Sequence, residues 1–444
     1  MAIAAVLGAI GIAVATEPAS AGGFAVREQS AEFQGMSFAG NGAGGGGLSG
    51  MFWNPAVAAY APVGIYSESN YAGIIANSEI TGDAFSGTTN LGLPRDSGDI
   101  AKDAAVPASY YSWRVNDRLV AAVSFNSPFG LVTEPSNRFW AGQTFARTSE
   151  IKTYNLNPTL AYRITPAIAI AAGLQIEHIE GRLKSASGIT PTSPNTVIHG
   201  DDTAFGFTAG IDVKLAARSH IGLGYRSSID HTLEGGIAVP GSALAPASVG
   251  ASIKAGITLP EIVTLSLRHG ITDRLTLLGT VEWSHWSRAE KLDVVCAHNA
   301  GGNPVFCPAG NGQLATSLPL GWHDGWFFSA GGEYAYSDRL TLRSGLAYEI
   351  SPIQNPDERS LRVPDTDRLW ASVGASYKWS DTVGLEFAYT HIFSVGDSTI
   401  DRFERGLRFI GEADTQVDIV SAALKVKLGG PNLADSLAPV DSLK

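Results

Sequence analysis

The chain has 444 residues, and its 31 lysines and arginines are outnumbered by 42 aspartates and glutamates, which gives a formal net charge of −11. An acidic balance without basic clusters argues against a nucleic-acid partner. A soluble chain of this length would usually divide into roughly two or three domains. Only 16% of the residues are charged, however, and 51 are glycine. This composition argues against a soluble multidomain protein.

Residues 1–21 differ from the rest of the chain. They contain a short apolar stretch, AIAAVLGAIGIAVA, followed by the polar TEPASA. Ala19, Ser20 and Ala21 fit the small-x-small pattern of a signal-peptidase site, so we expect a secretory signal peptide that is cleaved after Ala21. A membrane helix is the alternative, but the stretch is too short for one. The basic region that usually opens a signal peptide is absent, which leaves open whether the printed start is the true one.

The two cysteines lie in one polar, glycine-rich stretch, CAHNAGGNPVFC. In an exported protein this placement predicts a disulfide between Cys296 and Cys307 that closes a small loop. A metal site is the alternative. Only His298 lies between the two thiols, and two thiols with one imidazole form an incomplete zinc set, so we expect no metal ion.

From residue 62 onward, apolar residues recur at every second position. In TLRSGLAYEI, for example, Leu342, Leu346 and Tyr348 share one face of the predicted strand, and Arg343 and Glu349 share the other. Strands with one apolar face and one face of small and charged residues suit either a soluble sandwich or a membrane barrel with a polar lumen. The pattern alone does not choose between these two.

The lengths of the connections favour the barrel. Very short turns alternate with seven longer polar or glycine- and proline-rich segments, which predicts fourteen antiparallel strands over residues 62–428 and leaves residues 429–444 as a C-terminal tail. Short turns at one end and long loops at the other are typical of bacterial outer-membrane barrels. The six short turns are predicted at residues 115–118, 164–167, 216–219, 270–273, 336–339 and 378–381.

Aromatic residues cluster toward the predicted strand ends, where amphipathic rings favour the boundary between lipid and water. Tyr110, Trp113, Trp370 and Trp379 belong to this group. We expect the group to face the lipid, although core packing explains any single member equally well.

Residues 22–61 precede the predicted barrel and contain a short helical pattern, a glycine run and a turn at Asn54, Pro55 and Ala56. The lumen of a fourteen-stranded barrel is too wide for its own side chains to fill. We therefore expect this segment to fold inward as a hatch that plugs the barrel, with its glycines allowing close packing. A disordered leader is the alternative, but the segment is rich in large apolar residues, which argues against disorder.

Several motifs follow one another along nearly the whole mature chain: GGF at its start, SFAGNGAG with the later NPA, FNSPFGLVTE (125–134), LNPTLAYRI (156–164), GITLPEIVTLSL (256–267) and SPIQNPDERSLRVPDTDRLWASVGASY (351–377). Together they resemble the FadL-type outer-membrane transporters of long-chain fatty acids, a family that includes relatives moving aromatic hydrocarbons. The resemblance implies a barrel that captures a hydrophobic ligand on its outer loops and passes it to an internal pocket. It also implies sideways release through a gap in the wall.

The resemblance places that gap at a kink in the third strand, where the matching residues are Asn126, Ser127, Pro128, Phe129 and Gly130. The residue chemistry agrees, because Pro128 has no N–H for a β-ladder and Gly130 tolerates a bulge. The alternative is a plain strand end that enters a loop.

A carboxylate ligand inside an apolar pocket needs a cation to offset its desolvation. The family places basic residues near the outer parts of the fifth and ninth strands, and the matching regions here carry Arg182, Lys184 and Lys291. The resemblance therefore implies that these residues bind the ligand carboxylate. The alternative for each is a solvated charge at the base of a loop.

The predicted function is passive, ligand-gated uptake of long-chain fatty acids across the bacterial outer membrane, by a barrel that acts as a monomer among membrane lipids. Uptake of aromatic or aliphatic hydrocarbons is the close alternative. An aqueous porin for small polar solutes is a weaker one, because it would need an open lumen. No nucleophile motif, phosphate loop or haem motif occurs, so we expect neither an enzyme nor a cofactor.

Overall fold

The computed structural model describes residues 22–239, 249–297, 307 and 309–428. Its antiparallel strands form a closed barrel of fourteen strands, which confirms the prediction from the connections. None of the described helices is long and apolar enough to cross a membrane. The predicted signal peptide, residues 1–21, and the predicted tail, residues 429–444, lie outside the described residues.

Several of the fourteen barrel strands consist of two shorter strands separated by a bulge or a bend. The strands are β1 (Ile65–Ser86), β2 (Thr89–Asn90), β3 (Asp96–Asp99), β4 (Ala104–Arg114), β5 (Leu119–Asn126), β6 (Gly130–Thr133), β7 (Thr148–Arg163), β8 (Ile168–Ala186), β9 (Asn195–Ala216), β10 (Ser219–Arg226), β11 (Ile229–Val239), β12 (Val249–Leu259), β13 (Ile262–Gly270), β14 (Leu275–Ser284), β15 (Lys291–Cys296), β16 (Leu314–Pro319), β17 (Gly325–Ala335), β18 (Leu340–Ile350), β19 (Asp367–Lys378), β20 (Val383–Val395), β21 (Thr399–Glu404) and β22 (Leu407–Leu428). The third barrel strand combines β5 and β6, and the seventh to tenth likewise combine β10 with β11, β12 with β13, β14 with β15, and β16 with β17. The helices are short: α1 spans Ala31–Gln34, and 3-10 helices span Leu48–Phe52, Pro55–Tyr60 and Trp286–Arg288.

The barrel closes between its first and last strands. β1 and β22 pair antiparallel from Ile65 opposite Leu428 to Ser86 opposite Leu407. The wall is therefore continuous at this seam. All six short turns lie where they were predicted, and the chain enters and leaves the barrel at their end. We call this end the turn side and the opposite end the loop side.

Alternation along each strand separates an apolar outer surface from a polar lumen. On β18, Leu342 and Leu346 point outward and are 43% and 59% exposed, whereas Ala347 and Glu349 point inward and are each 3% exposed. A wall that faces hydrocarbon outside and polar groups inside requires this pattern.

The aromatic prediction is correct for only part of its residues. Trp113 and Trp379 are exposed on the outer surface. Tyr110 and Trp370 are instead fully buried inside the barrel, where the Tyr110 hydroxyl donates to the Gln29 carbonyl at 2.9 Å. The prediction was wrong for these two because successive side chains on a strand point to opposite faces. The position of the residue along the strand, and not the chemistry of its ring, therefore decides which face it occupies.

Cys296 ends β15 at the loop-side end of the ninth barrel strand. Its sulfur is bonded to that of Cys307 at 2.06 Å. Cys296 also pairs with Ile253 in the wall. The bridge therefore attaches Cys307 to the barrel rim.

Candidate functional site

Residues 22–61, which we call the lumen segment, lie inside the barrel. Phe33, Met36 and Phe38 are completely buried. The Phe38 ring packs edge-on against Trp370 of the wall, with ring centroids 5.9 Å apart. Burial of these large apolar side chains supplies the main driving force for docking the segment.

The predicted turn at Asn54, Pro55 and Ala56 joins the lumen segment to the wall. The Asn54 side chain accepts a hydrogen bond from the Ala56 N–H at 3.0 Å and donates to the carbonyls of Gly42 and Ile211 at 2.7 and 3.0 Å. Pro55 begins the following 3-10 helix, a position where its missing N–H costs nothing. The three residues therefore connect the glycine run, the helix and β9.

A layer of charged side chains lies between the lumen segment and the turn side. Lys425 of β22 contacts the carboxylates of Glu32 in α1 and Glu386 in β20, the latter at 2.8 Å. Arg343 contacts Glu386 and Glu333 at 2.7 and 2.8 Å. These residues line a cavity of about 570 Å³ whose other walls include the turn residues Asp273 and Arg339. A hydrocarbon chain that crossed this layer would have to pass these buried charges, which is unfavourable.

The third barrel strand contains one residue more than its neighbour at the predicted kink. Asn126 pairs with Asn155 and Gly130 pairs with Lys152, so three residues on the third strand face two on the fourth. An excess residue of this kind is a β-bulge, and it bends the strand that carries it.

The second barrel strand loses its partner at this bulge. Pairing between β4 and β5 stops at Ser109 opposite Phe125 in the described chain. The lumen segment takes up the free backbone: the Val26 N–H donates to the Pro128 carbonyl, and the Gly130 N–H donates to the Phe24 carbonyl, both at 2.8 Å. The β-ladder between the second and third barrel strands is therefore interrupted toward the loop side.

A small apolar cavity of about 60 Å³ lies in the loop-side half of the barrel. It adjoins an aromatic cluster in which Phe24 packs against Phe129, Trp286 and Trp322, and Ile179 contacts both regions. Apolar contacts thus run without interruption from the cavity to the bulge in the wall. The side chains that line the cavity include Ile151, Ile179, Leu183, Ile198, Leu233, Ile253, Ile257 and Leu292.

Known proteins resemble this chain along most of its length. Residues 12–427 match the model of a family described as outer membrane protein transport protein (OMPP1/FadL/TodX). The chain belongs to this family. Outer membrane protein P1 of Haemophilus influenzae is 27% identical over 84% of this chain and 86% of its own length. The long-chain fatty acid transport protein of Salmonella typhi is 24% identical over 87% and 91%.

Solved structures share the fold of this FadL/TodX chain. A Pseudomonas aeruginosa FadL homologue superposes with a TM-score of 0.79 at 23% identity, covering 91% of this chain and 99% of the homologue. The Pseudomonas putida toluene transporter TodX gives a TM-score of 0.64 at 14% identity, covering 92% and all of that chain. Because the chain belongs to this family, it is an outer-membrane transporter of hydrophobic compounds, and the expectation of a transporter rather than an enzyme agrees with the family.

The structure of this FadL-family chain places the three predicted carboxylate-binding cations away from the apolar cavity. On β8, Ile179, Gly181 and Leu183 face the cavity, so Arg182 and Lys184 point outward. Lys291 is 59% exposed and pairs with Asp293 at 2.7 Å. The prediction depended on the register along each strand, and a shift of one residue along a strand exchanges its two faces.

Sequence reasoning missed Arg362, which lies at the loop-side mouth of the barrel. Its side chain is only 8% exposed. It is the first arginine of RVPDTDR, within the stretch 351–377 that resembles the family. Nothing in the local pattern indicates that a loop arginine folds back into the lumen.

Glu28 of the lumen segment is a buried carboxyl with one oxygen that has no hydrogen-bond partner. Burial raises its pKa to about 7, although Arg27 and Arg368 oppose the shift and Glu349 adds to it. The unfolded value is about 4.3. Between pH 4.3 and pH 7, approximately, the folded chain therefore retains a proton that the unfolded chain has lost. The free energy of unfolding consequently falls as the pH rises from about 4.3 to 7.

We expect Glu28→Gln to remove this pH dependence. At pH 8 the variant should be more stable by on the order of 3 kcal/mol, and near pH 4 it should match the wild type. Urea unfolding of the purified barrel between pH 4 and 8 measures the difference. A constant difference at every pH would show that the carboxyl of Glu28 does not titrate as described.

Proposed function

We propose that this chain takes up long-chain fatty acids passively and releases them sideways through the interrupted ladder between the second and third barrel strands. The apolar cavity of about 60 Å³ is smaller than an acyl chain, so we propose that the ligand enters by displacing the apolar side chains around it. A single closed barrel contains all of these parts, so we propose that a monomer in the outer-membrane lipid is sufficient. The observation that carries the proposal is the position of the bulge. It lies where the apolar cluster of Phe24 and Phe129 reaches the wall.

The alternative exit along the barrel axis is unfavourable for a hydrophobic molecule. The lumen segment fills that path, and the charged layer around Lys425 and Arg343 lies beneath it. Each methylene that leaves an apolar surface for water costs about 0.8 kcal/mol. A lateral route keeps the chain in apolar surroundings from the cavity to the lipid.

Gating follows from the contacts of Phe24. Its ring lies in the aromatic cluster and its carbonyl is bonded to Gly130 at the bulge. We propose that a ligand entering the cluster displaces Phe24, and that this motion frees the backbone of the bulge.

Hydrocarbon uptake is the second candidate. It is favoured by the lining of the cavity, which consists almost entirely of aliphatic side chains and contains none of the three predicted cations. A toluene transporter also shares the fold.

Deletion of Pro128 tests the lateral route. It removes the excess residue, so the third strand can pair continuously with the fourth and regain its partner on the second. Uptake of labelled oleate by cells that express the variant should fall to near background, while oleate binding to the purified barrel should change by less than about twofold.

Pro128→Ala is the matched control, because it keeps the chain length and therefore the bulge. It should transport at close to the wild-type rate. Undiminished uptake by the deletion variant would exclude lateral exit at this site. Binding of toluene without oleate would favour the hydrocarbon alternative, and ion conductance without binding of either would favour a porin.

A further inference from the structure

Four buried carboxyl groups surround the loop-side end of the lumen segment. We call them the acidic cluster, and they are Glu28, Glu282, Glu349 and Asp365. Arg27 contacts Glu282 and Glu349 at 2.7 and 3.3 Å. Arg368 contacts Asp365. Among the described residues, these two guanidiniums are the cations that form ion pairs with the acidic cluster.

The acidic cluster has more negative groups than these two cations can pair. One oxygen of Glu28 is buried and has no hydrogen-bond partner in the described chain. Arg359 lies near Asp365, but its Nε donates to the backbone carbonyl of that residue at 2.9 Å. Buried carboxylates are costly unless cations compensate them. The cluster therefore favours a further cation in contact with it.

Gly22, the first residue that the structure describes, lies against the acidic cluster. A Cβ at Gly22 would lie 2.6 Å from Oε1 of Glu349. The nitrogen of Gly22 is bonded to the same Cα, so it lies within roughly 5 Å of this oxygen. The next N–H, that of Gly23, donates to Asp365 Oδ2 at 2.8 Å. The backbone of these two glycines thus reaches two members of the cluster.

The predicted cleavage site determines the charge at this position. Residues Ala19, Ser20 and Ala21 predict cleavage of the bond that precedes Gly22. Hydrolysis of this bond by water leaves a carboxylate on Ala21 and an ammonium on Gly22. Carboxylates within about 4–6 Å favour the charged form of an amine. The peptide N–H of an uncleaved chain carries no charge and cannot compensate the cluster.

We propose that the α-ammonium of the processed chain, on Gly22, pairs with Glu349 and supplies the cation that the acidic cluster lacks. Removal of the signal peptide is then a step in the docking of the lumen segment as well as in export. Gly22 is two residues before Phe24, so the ion pair fixes the free end of the chain beside the aromatic cluster and the bulge. The inference does not depend on which ligand the barrel carries.

The depth of Gly22 in the barrel explains why cleavage has to come before docking. Its neighbour Glu349 is nine residues along β18 from Leu340 at the turn side, which is roughly 30 Å along the strand. A leader still attached to Gly22 would bring its apolar stretch to the buried carboxyl groups at this depth, which is unfavourable.

The first test measures the α-amine directly. N-terminal sequencing of the barrel purified from outer membranes should identify Gly22 as the first residue. Pyridine-2-carboxaldehyde, which reacts with α-amines and spares lysine side chains, should label the folded barrel at least about 100-fold more slowly than the chain in urea. Glu349→Gln should raise the labelling rate of the folded barrel by about tenfold. Glu386→Gln, which removes a buried carboxylate of the turn-side charged layer, is the matched control and should label like the wild type.

The second test removes the ammonium without changing the side chains. Transamination of the N-terminal glycine in urea replaces the ammonium by a neutral aldehyde oxygen, and the chain is then refolded in detergent. The urea midpoint should fall by about 0.5–1 M in the wild type and in Glu386→Gln, and by less than half as much in Glu349→Gln.

Several outcomes would overturn the inference. They are a mature chain that begins at another residue, equal labelling rates in the folded barrel and in urea, and an unchanged midpoint after transamination of the wild type. An equal fall of the midpoint in the wild type and in Glu349→Gln would also overturn it, because the ammonium would then act without Glu349. If the transaminated chains do not refold, the labelling rates of the folded wild type and of Glu349→Gln decide.

Discussion

Gly345→Val is expected to dislodge the lumen segment and open the barrel to ions and small polar solutes. A Cβ at this inward-facing position of β18 would overlap the carbonyl oxygen of Met36. The adjacent Gly331 lies opposite Gly345 and approaches the same carbonyl, while Gly374 touches Gly35. These glycines make the wall flat enough for the backbone of the lumen segment to lie directly against it.

The size of the effect of Gly345→Val depends on which atoms the new side chain overlaps. Overpacking a core usually costs about 1–3 kcal/mol when side chains can adjust. Here the obstacle is main chain on both sides, so the lumen segment has to shift as a unit. The lumen of a barrel of this size is not filled by its own side chains. Conductance in planar bilayers should therefore rise by roughly tenfold or more over the wild type.

Gly279→Val is the matched control. A Cβ at Gly279 would meet only the Ser329 carbonyl oxygen, at an ordinary 3.6 Å. Conductance of this control should equal that of the wild type. If Gly345→Val also conducts like the wild type while remaining folded, the lumen segment is not what closes the channel.

Lys425→Met is expected to destabilise the barrel by about 3–5 kcal/mol, because it removes one partner from a buried ion cluster. Lys425 is 3% exposed and lies among the carboxylates of Glu32, Glu386 and Glu68, all of which are buried. Methionine fills the space of the lysine stem but leaves these carboxylates uncompensated. Urea unfolding at pH 7.5 measures the loss.

The double variant Lys425→Met with Glu32→Gln should recover part of this loss of stability, since it removes one of the carboxylates that Lys425→Met leaves uncompensated. Lys378→Met is a control on the exposed turn side, where the partner Asp381 is 55% exposed, and it should have little effect. A loss of stability as small as that of the control would mean that water already screens the cluster.

The same cluster gives a pH dependence through Glu32 of α1. Burial alone would raise the pKa of this carboxyl, but Lys425 and Arg343 outweigh burial and lower it to about 2. The contribution of Glu32 to stability is therefore complete above the unfolded value of about 4.3 and is lost as the pH falls through 2. Acid should release the lumen segment before it unfolds the wall.

The sequence by itself determined the barrel. Strand periodicity, the six short turns and the strand count are local properties, because each depends on a few neighbouring residues that either alternate or form a turn. Pro128 also marked the bulge from sequence, since a proline interrupts any ladder that needs its N–H. The apolar residues and glycines of segment 22–61, together with the width of a fourteen-stranded lumen, predicted that it folds inward.

Only the tertiary structure decided which residues meet inside the barrel. It placed Arg182 outside and Arg362 inside, it turned Tyr110 and Trp370 into the lumen, and it set Gly345 against Met36. The physical reason is that these contacts join positions hundreds of residues apart or depend on strand parity. A single excess residue, as at the bulge in the third strand, reverses the facing of every residue that follows it on that strand.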